Sequence, residues 1–399
     1  MSNNSSIDDP VVIVAASRTP MGGFMGDLSS VSATTLGSVA IKAAVEKAGV
    51  QAGDIDEVLM GCVLPAGLGQ APARQASLGA GIPKSAGCTT VNKVCGSGMK
   101  TIMLAHDQLL AGSNRVVVAG GMESMSNAPY MLSKARAGYR FGHGQLLDHM
   151  AFDGLEDAYE GEAMGVYAES CAEKYSFSRA AQDDFAITSL KWAQQAIADG
   201  AFDGEIAPVE FMERNKEVRI DTDEQPLKAK FDKIPQLRPA FKKEGTVTAA
   251  NASSISDGAA ATVLMRQSEA EIRGLTPLAK IVGHASHSQE PKEFTLAPIG
   301  AIRSLLEKVK WNKDSVDLFE INEAFAVVVM AAMQELELDH SKVNVHGGAC
   351  ALGHPIGCSG TRIVVTLIAA LQRLGKKRGV ASLCIGGGEA TAMAIELVG

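Results

Sequence analysis

Val91-Asn92-Lys93-Val94-Cys95-Gly96-Ser97-Gly98-Met99 is the stretch on which the reading of this 399-residue chain turns. A β-branched run (Thr89, Thr90, Val91) leads into a single cysteine. Glycines then flank a serine, and an apolar helical pattern follows through Met99, Ile102, Met103, Leu109 and Leu110. A strand-to-helix junction puts Cys95 at the positive end of a helix dipole, which is expected to lower its pKa and present a thiolate. Gly96 and Gly98 would let the backbone approach a ligand closely. Alone, the stretch reads equally well as a small buried hydrophobe at the head of a core helix. The second half of the chain decides between the two.

Working outward, residues 11–16 form a continuous apolar run, the pattern of a strand buried on both faces in a parallel sheet. A glycine-containing loop (Gly22, Gly23, Gly26) follows, then a helix through Leu36, Val39, Ile41 and Val45 closed by Gly49. Ile55 to Val63 reads as a second strand, Ala73 to Gly79 as a small-residue helix, and Arg115 to Gly121 as a further buried strand. Alternating strands and helices predict a βαβ sheet covered on both sides. All five tyrosines then fall between Tyr130 and Tyr175, among charged, turn-rich segments, with helices expected near 164–175 and 179–199. This composition shift marks an insertion over 125–248.

The sheet pattern resumes near Ala260 and begins again from Leu278. Ala279 to His284 matches the first strand, Pro298 to Val309 the first helix, and Asp314 to Ile321 echoes Asp54 to Leu59. Cys358-Ser359-Gly360, opening an apolar helix that leads to Val380 through Gly388, repeats the order of Cys95 to Gly121. The chain is an internal duplication. Its expected divisions are 1–124 plus 249–276 for the first half, 125–248 for the insertion and 277–399 for the second half.

The bulk numbers narrow the class. Hydrophobic residues at 46% and charged residues at 21% fit a globular protein rather than a disordered one. A net charge of −8 argues against a general nucleic-acid binder. Apolar runs such as Ile363 to Leu371 are too short to span a bilayer. The polar start, Met1 to Ser6, has neither the apolar core of a secretion signal nor the character of a transit peptide, and reads as a disordered lead in a cytoplasmic protein. Seven scattered cysteines (Cys62, Cys88, Cys95, Cys171, Cys350, Cys358, Cys384) favour free thiols in a reducing compartment.

Three motifs in the second half go with Cys95: Asn322-Glu323-Ala324-Phe325 at a strand end, Gly347 through Cys358 around His354, and Cys384-Ile385-Gly386-Gly387-Gly388. His346, Cys350, His354 and Cys358 recur every four residues, but metal ligation at that spacing needs one helix. Four glycines and Pro355 within 347–357 exclude it, so no metal is expected there. Two cysteines, a histidine and an asparagine at strand ends and glycine turns of a duplicated sheet form the layout of a nucleophile with a base and oxyanion donors.

These motifs resemble the thiolase family, over nearly the whole chain from Val11 onward. The resemblance implies an α/β fold of two βαβαβαββ halves in stacked α/β/α/β/α layers, with an inserted loop domain over the coenzyme A site. It implies Claisen condensation of two acetyl-CoA to acetoacetyl-CoA and coenzyme A, reversibly and by ping-pong kinetics. No tightly bound cofactor is implied; coenzyme A thioesters are the substrates, and the chain forms a homodimer or homotetramer. By motif, Cys95 would take the acyl group, His354 activate it, and Cys384 move the α-proton of the second acetyl-CoA. Asn322, through a water, and His354 would stabilise the enolate, and the N–H groups of Cys95 and Gly386 the other oxyanion. Met164, Phe325, Ser253 and Lys228 would line the acyl and coenzyme site.

Three positions depart from the common pattern: Glu389-Ala390 after the glycines, Ser253-Ser254-Ile255-Ser256-Asp257-Gly258, and Ala163 before the pocket methionine. A decarboxylating ketoacyl synthase would share the fold but lack Cys384, and a non-catalytic relative would have lost Cys95 or His354. A 3-ketoacyl-CoA thiolase of broader chain length is the remaining alternative. Bulk at Met164 and Phe325 points instead to short linear acyl chains.

Overall fold

The computed structural model describes residues 9–398, so the lead at Met1–Ser6 lies outside the described residues. Nine strands make the main sheet. They are β1 (Val11–Arg18), β2 (Glu57–Gly61), β3 (Gly87–Val91), β4 (Val116–Ser124), β5 (Ser256–Arg266), β6 (Ala279–Ser288), β7 (Leu318–Ile321), β8 (Arg378–Ile385) and β9 (Glu389–Leu397). Their order across the sheet is β7-β8-β9-β6-β1-β5-β4-β2-β3, with the short strand Gly22–Gly23 beside β5. The duplication is visible in that order. The first half runs β3-β2-β4-β5-β1, and the second runs β7-β8-β9-β6 with Val343 bridged in parallel to Phe319, where the first half has β3. The halves join through two residue pairs, Val12 with Lys280 and Ile13 with Ala279.

The parallel setting expected for β1 does not hold. It runs antiparallel to both β5 and β6. An apolar run records burial on both faces, and any sheet covered by helices on both sides supplies that, whatever the strand direction.

Eight helices matter here: α1 (Ala33–Ala48), α2 (Pro72–Gly79), α3 (Ser97–Ala111), α4 (Met164–Tyr175), α5 (Arg179–Ala198), α6 (Ala297–Val309), α7 (Ala326–Leu336) and α8 (Ile356–Arg373). The period-two alternation of the strands sorts their side chains into three separate cores. Val12, Val14, Val116 and Val118 point to α1 and its Leu36, Ala40 and Ile41. Val11, Ile13, Val117 and Ala119 point the other way, into a middle core with Met99 and Ile102 of α3 and Ile363, Val364 and Leu367 of α8. Ala381 and Leu383 of β8 enter that same middle core from the second half, whereas Val380 faces a third core with Ile302, Leu305 and Val329. Three cores separated by two layers of strand give α/β/α/β/α.

In the middle layer, α3 and α8 touch backbone to backbone. A Cβ on Gly360 would lie 2.3 Å from the Met99 nitrogen, and one on Gly98 would lie 2.8 Å from the Thr361 nitrogen. Thr361 Oγ1 donates to the Gly98 carbonyl at 2.9 Å. The two helix N-termini, one from each half, therefore open side by side.

The insertion is anchored by charge. Arg18, at the end of β1 and fully buried, donates from Nε to Glu205 at 2.5 Å and bidentately to Asp223 at 2.7 and 2.8 Å, with its guanidinium 4.9 Å from the Phe202 ring centre. Truncating one partner of such a cluster strands the others without compensation. Arg18→Met should cost about 3–5 kcal/mol in chemical denaturation. Adding Glu205→Gln and Asp223→Asn should recover much of that loss; a triple variant no more stable than the single one would assign the cost to packing instead.

Candidate active site

The nucleophile turn is wound tightly. Val94, immediately before Cys95, has φ +46°, an outlier for a β-branched residue and of the kind that surrounding bonds must hold in place. Those bonds are present. Asn92 Oδ1 accepts from Val94 N at 2.9 Å, Ser97 Oγ donates to the Val94 carbonyl at 2.7 Å, and Lys93 N donates to Ser97 Oγ at 2.8 Å. The Gly-Ser-Gly that sequence reading assigned to ligand approach does two other jobs. Ser97 clamps the turn, and Gly98 admits α8.

His354 stands two residues before α8, as Cys95 stands two residues before α3. Cys95 and His354 thus occupy corresponding turns, each ahead of a central helix, rather than identical positions: the reciprocal contacts pair Gly98 with Gly360, and Cys358 lies inside the first turn of α8, fully buried, and does not open it. Ser359 Oγ lies 2.6 Å from His354 Nδ1 and 3.0 Å from the Pro355 carbonyl, to which it donates. With the hydroxyl proton there, Nδ1–H donates to Ser359, and Nε2, buried and without a protein partner among the described residues, is left as a lone pair. The His354 backbone N–H reaches the Ser254 carbonyl and Ser256 Oγ, so the departure at 254–256 supports this loop.

Asn322 Nδ2 is 3.4 Å from His354 Nδ1, and its Oδ1 accepts from Arg362 at 3.3 Å. Arg362 also pairs with Glu320 at 3.0 Å, and both are buried. It fixes which end of the Asn322 amide faces the histidine. Glu123 accepts from the N–H groups of Val63 (2.9 Å), Leu64 (3.1 Å) and Gly357 (2.9 Å), pinning the start of α8. Burial holds its carboxyl up at about 7 despite those donors. Sequence reading missed both Arg362 and Glu123. The available signal was a charge among apolar residues: Glu123 is the one charge in β4, and Arg362 lies inside α8, whose other charge, Arg373, ends the helix.

Cys95, Cys384, His354 and Gly386 line one cavity of about 640 Å³, with Met164, Phe325, Ser253 and Lys228 also on its walls. Asn322 sits behind His354, outside the lining. Met164 packs beside Gly386: a Cβ there would meet the Met164 methyl at 3.6 Å and Val94 at 3.7 Å. Phe241, which sequence reading did not single out, faces Phe325 edge-on at 6.0 Å, and Phe294 does so at 6.4 Å. Ser253 Oγ donates to the Ala324 carbonyl at 2.9 Å. Lys228, at the rim, is ion-paired with Glu224 and Asp27. The departure Glu389 makes an ion pair with Lys93 at 2.6 Å, tying the turn after Cys384 to the nucleophile turn. His346 and Cys350 stay apart from this centre. His346 meets Phe202 edge-on, and Cys350 donates its N–H to Glu323.

One electrostatic expectation is overturned. Burial pushes the Cys95 thiol up to about 11, although the N–H groups of Gly386 and of Cys95 itself favour the thiolate. Two backbone donors cannot replace the water that a thiolate loses here. Burial, with Arg362 nearby, lowers His354 to about 3, and Cys384 is raised well above an ordinary thiol by burial and by Cys95. The resting site is a neutral imidazole beside two neutral thiols.

Fold and site together are those of an acyl-transfer enzyme. The thiolase N-terminal domain family matches residues 11–268, and the thiolase C-terminal domain family matches residues 275–397. The acetyl-CoA acetyltransferase of Schizosaccharomyces pombe is 50% identical over 98% of this chain and 100% of its own length. The acetyl-CoA acetyltransferase structure from Bacillus anthracis superposes with a TM-score of 0.95 at 44% identity, covering 98% of this chain and 99% of that one. A thiolase from Ascaris suum, solved in complex with coenzyme A, gives 0.93 at 44% identity over 98% and 100%. The chain belongs to the thiolase family.

A neutral resting pair has a kinetic signature. Alkylation of Cys95 by iodoacetamide, without substrate, should accelerate about tenfold per pH unit through neutrality, as the thiolate fraction of a high-pKa thiol does. A rate already flat below about pH 8 would indicate a thiolate–imidazolium pair instead.

Proposed function

We propose that this chain is an acetyl-CoA C-acetyltransferase acting through an acetyl-Cys95 intermediate. The observation that carries the reading is the convergence of Cys95 and His354, from equivalent helix starts in the two halves, with Cys384 and Gly386 on one cavity. His354 Nε2 takes the Cys95 proton as sulfur attacks the thioester carbonyl, and the departing coenzyme A thiolate regains it. In the acetyl-enzyme Cys384 passes its proton to His354 Nε2, and the resulting thiolate takes an α-proton from a second acetyl-CoA. The enolate oxygen is held by His354 Nε2–H and by a water on Asn322. The enolate carbon attacks the acetyl carbonyl, whose oxyanion meets the N–H groups of Cys95 and Gly386, and Cys95 leaves as a thiolate that takes the His354 Nε2 proton. Desolvation explains why proton transfer waits for substrate: neither thiol ionises until a thioester supplies somewhere for the charge to go.

Ser253, Met164, Phe325 and Lys228 are assigned to the coenzyme and acyl site, under a loop domain spanning 125–248 between halves at 1–124 plus 249–276 and at 277–399. No tightly bound cofactor or metal is assigned to the reaction. A homodimer, doubled to a tetramer, is supported by β3, a partly exposed strand at the edge of the sheet, and by the exposed Tyr130, Leu132 and Leu146 of the hairpin 130–148. Seven free cysteines support a reducing, cytoplasmic setting. No described helix is long and apolar enough to cross a membrane.

Cys384→Ala should still take one acetyl group at Cys95 from acetyl-CoA, read by mass spectrometry, while thiolysis of acetoacetyl-CoA falls more than about a hundredfold. Acetyl on another residue, or near-normal thiolysis, would overturn the assignment. The aromatic wall of Phe241, Phe294 and Phe325 beside Met164 limits acyl length. Long 3-ketoacyl-CoA should therefore be cleaved with kcat/KM at least about tenfold below that for acetoacetyl-CoA. A profile flat or rising with length would favour a broad-range 3-ketoacyl-CoA thiolase.

A further inference from the structure

A second cluster of chemically competent side chains lies away from the catalytic cavity, where α3 of the first half crosses β6 of the second. His106 Nδ1, Asp107 Oδ1 and His284 Nε2 form a nearly equilateral triangle. The histidine nitrogens are 3.2 Å apart, and the carboxylate oxygen is 3.1 Å from His106 and 3.0 Å from His284. The two imidazole rings stand perpendicular, at 89°. Both are nearly buried, at 12% and 10% side-chain exposure, whereas Asp107 is 55% exposed and leaves the cluster open to solvent. None of the three lines the catalytic cavity.

Hydrogen bonds cannot satisfy this triangle. If each nitrogen carries a proton toward Asp107, the two N–H groups confront each other at 3.2 Å. If only one does, the bare nitrogen faces the carboxylate oxygen, two acceptors with nothing between them. The carboxylate is ionised, held so by its two histidine neighbours, and every placement of protons on the nitrogens then leaves one of the three contacts unfavourable. A single cation at the centre makes all three favourable.

We propose that His106, Asp107 and His284 form a binding site for one late first-row divalent cation, with Zn²⁺ as the type. A tetrahedral zinc with bonds of about 2.0–2.1 Å holds its ligand atoms ~3.3 Å apart, close to the spacing seen. Two imidazoles and one carboxylate supply three ligands and leave a fourth position to water on the open side. The choice of cation follows from the donors. Mg²⁺ and Ca²⁺ need several oxygens, and only one is offered, whereas imidazole suits Zn²⁺, Ni²⁺ and Co²⁺. Two cationic side chains stand nearby and act on any divalent ion alike: Lys308 Nζ donates to the His284 carbonyl at 2.9 Å, and Arg266 lies close to His106. Burial lowers the pKa of both histidines, so their lone pairs are available at neutral pH. A bound ion would tie α3, the helix that begins behind Cys95, to the first strand of the other half.

The test uses the full-length protein stripped of metal, with Co²⁺ as the optical probe and Zn²⁺ for calorimetry. Co²⁺ separates this site from the active-site thiols, because thiolate ligation adds an intense sulfur-to-metal charge-transfer band that nitrogen and oxygen ligands lack. The expected result is one Co²⁺ per chain with d–d bands alone, and a thermal midpoint that rises with Zn²⁺ but not with Mg²⁺. His106→Gln and His284→Asn should each weaken binding more than about tenfold while kcat in metal-free buffer stays at the wild-type level, which also reports folding. Should His284→Asn fail to fold, the exposed Asp107→Asn with His106→Gln serves in its place. Absence of stoichiometric binding, a spectrum showing thiolate ligation alone, or affinity unchanged in the variants would overturn the proposal.

Discussion

Backbone contact between α3 and α8 is the constraint on which the active centre depends. Each helix brings its N-terminus to the middle layer, and each is preceded at two residues by a reactive side chain. Only because Gly98 and Gly360 lack side chains can the helices close to contact, and only at contact can a turn on one reach the chemistry of the other. A methyl group at Gly360 would collide with backbone, which cannot rotate away as a side chain can. The separation of Cys95 from His354 is thus set by packing in the middle core, several residues from either group.

Around that contact the site holds buried charges at a distance and neutral groups at the centre. Glu123 receives three N–H groups and secures the start of α8, while Arg362 spans Glu320 and Asn322 from the next turn. Cys95 and His354 stay neutral in the absence of substrate. The surrounding dipoles are fixed in advance, so little reorganisation is needed when charge develops on a substrate oxygen. The insertion joins this scaffold through buried polar anchors, Arg18 with Glu205 and Asp223 on one side and Glu323 with Ser189 on the other.

Much of this was legible in the sequence because its signals are local. Period-two alternation and apolar runs mark strands wherever they pair, glycines and caps end helices, and α4 and α5 begin where their patterns do. The motifs around Cys95, Asn322, His354 and Cys384 sit at strand ends and helix starts as their spacing implied. What stayed hidden depends on the third dimension. Strand direction leaves no trace in burial, so β1 read as parallel. A dipole argument for Cys95 counts the helix but not the water lost on burial. The strain at Val94 belongs to a turn held by Ser97 and Asn92, and no propensity of valine foretells it. Arg362 and Glu123 lie behind the cavity lining, visible in the sequence only as charges set among apolar residues.

The placement of Cys95 and His354 in corresponding turns of the two halves bears on how such a chain could arise. The two halves share strand order, and their two central helices meet near an approximate twofold axis. Two identical halves related by that axis would present the same residue twice, either two nucleophiles or two bases. Acyl transfer needs one of each. Fusion of the copies into a single chain releases the paired turns from having to match, so one could carry a cysteine and the other a histidine. The chemistry performed here thus requires broken symmetry at the point where the architecture is most symmetric.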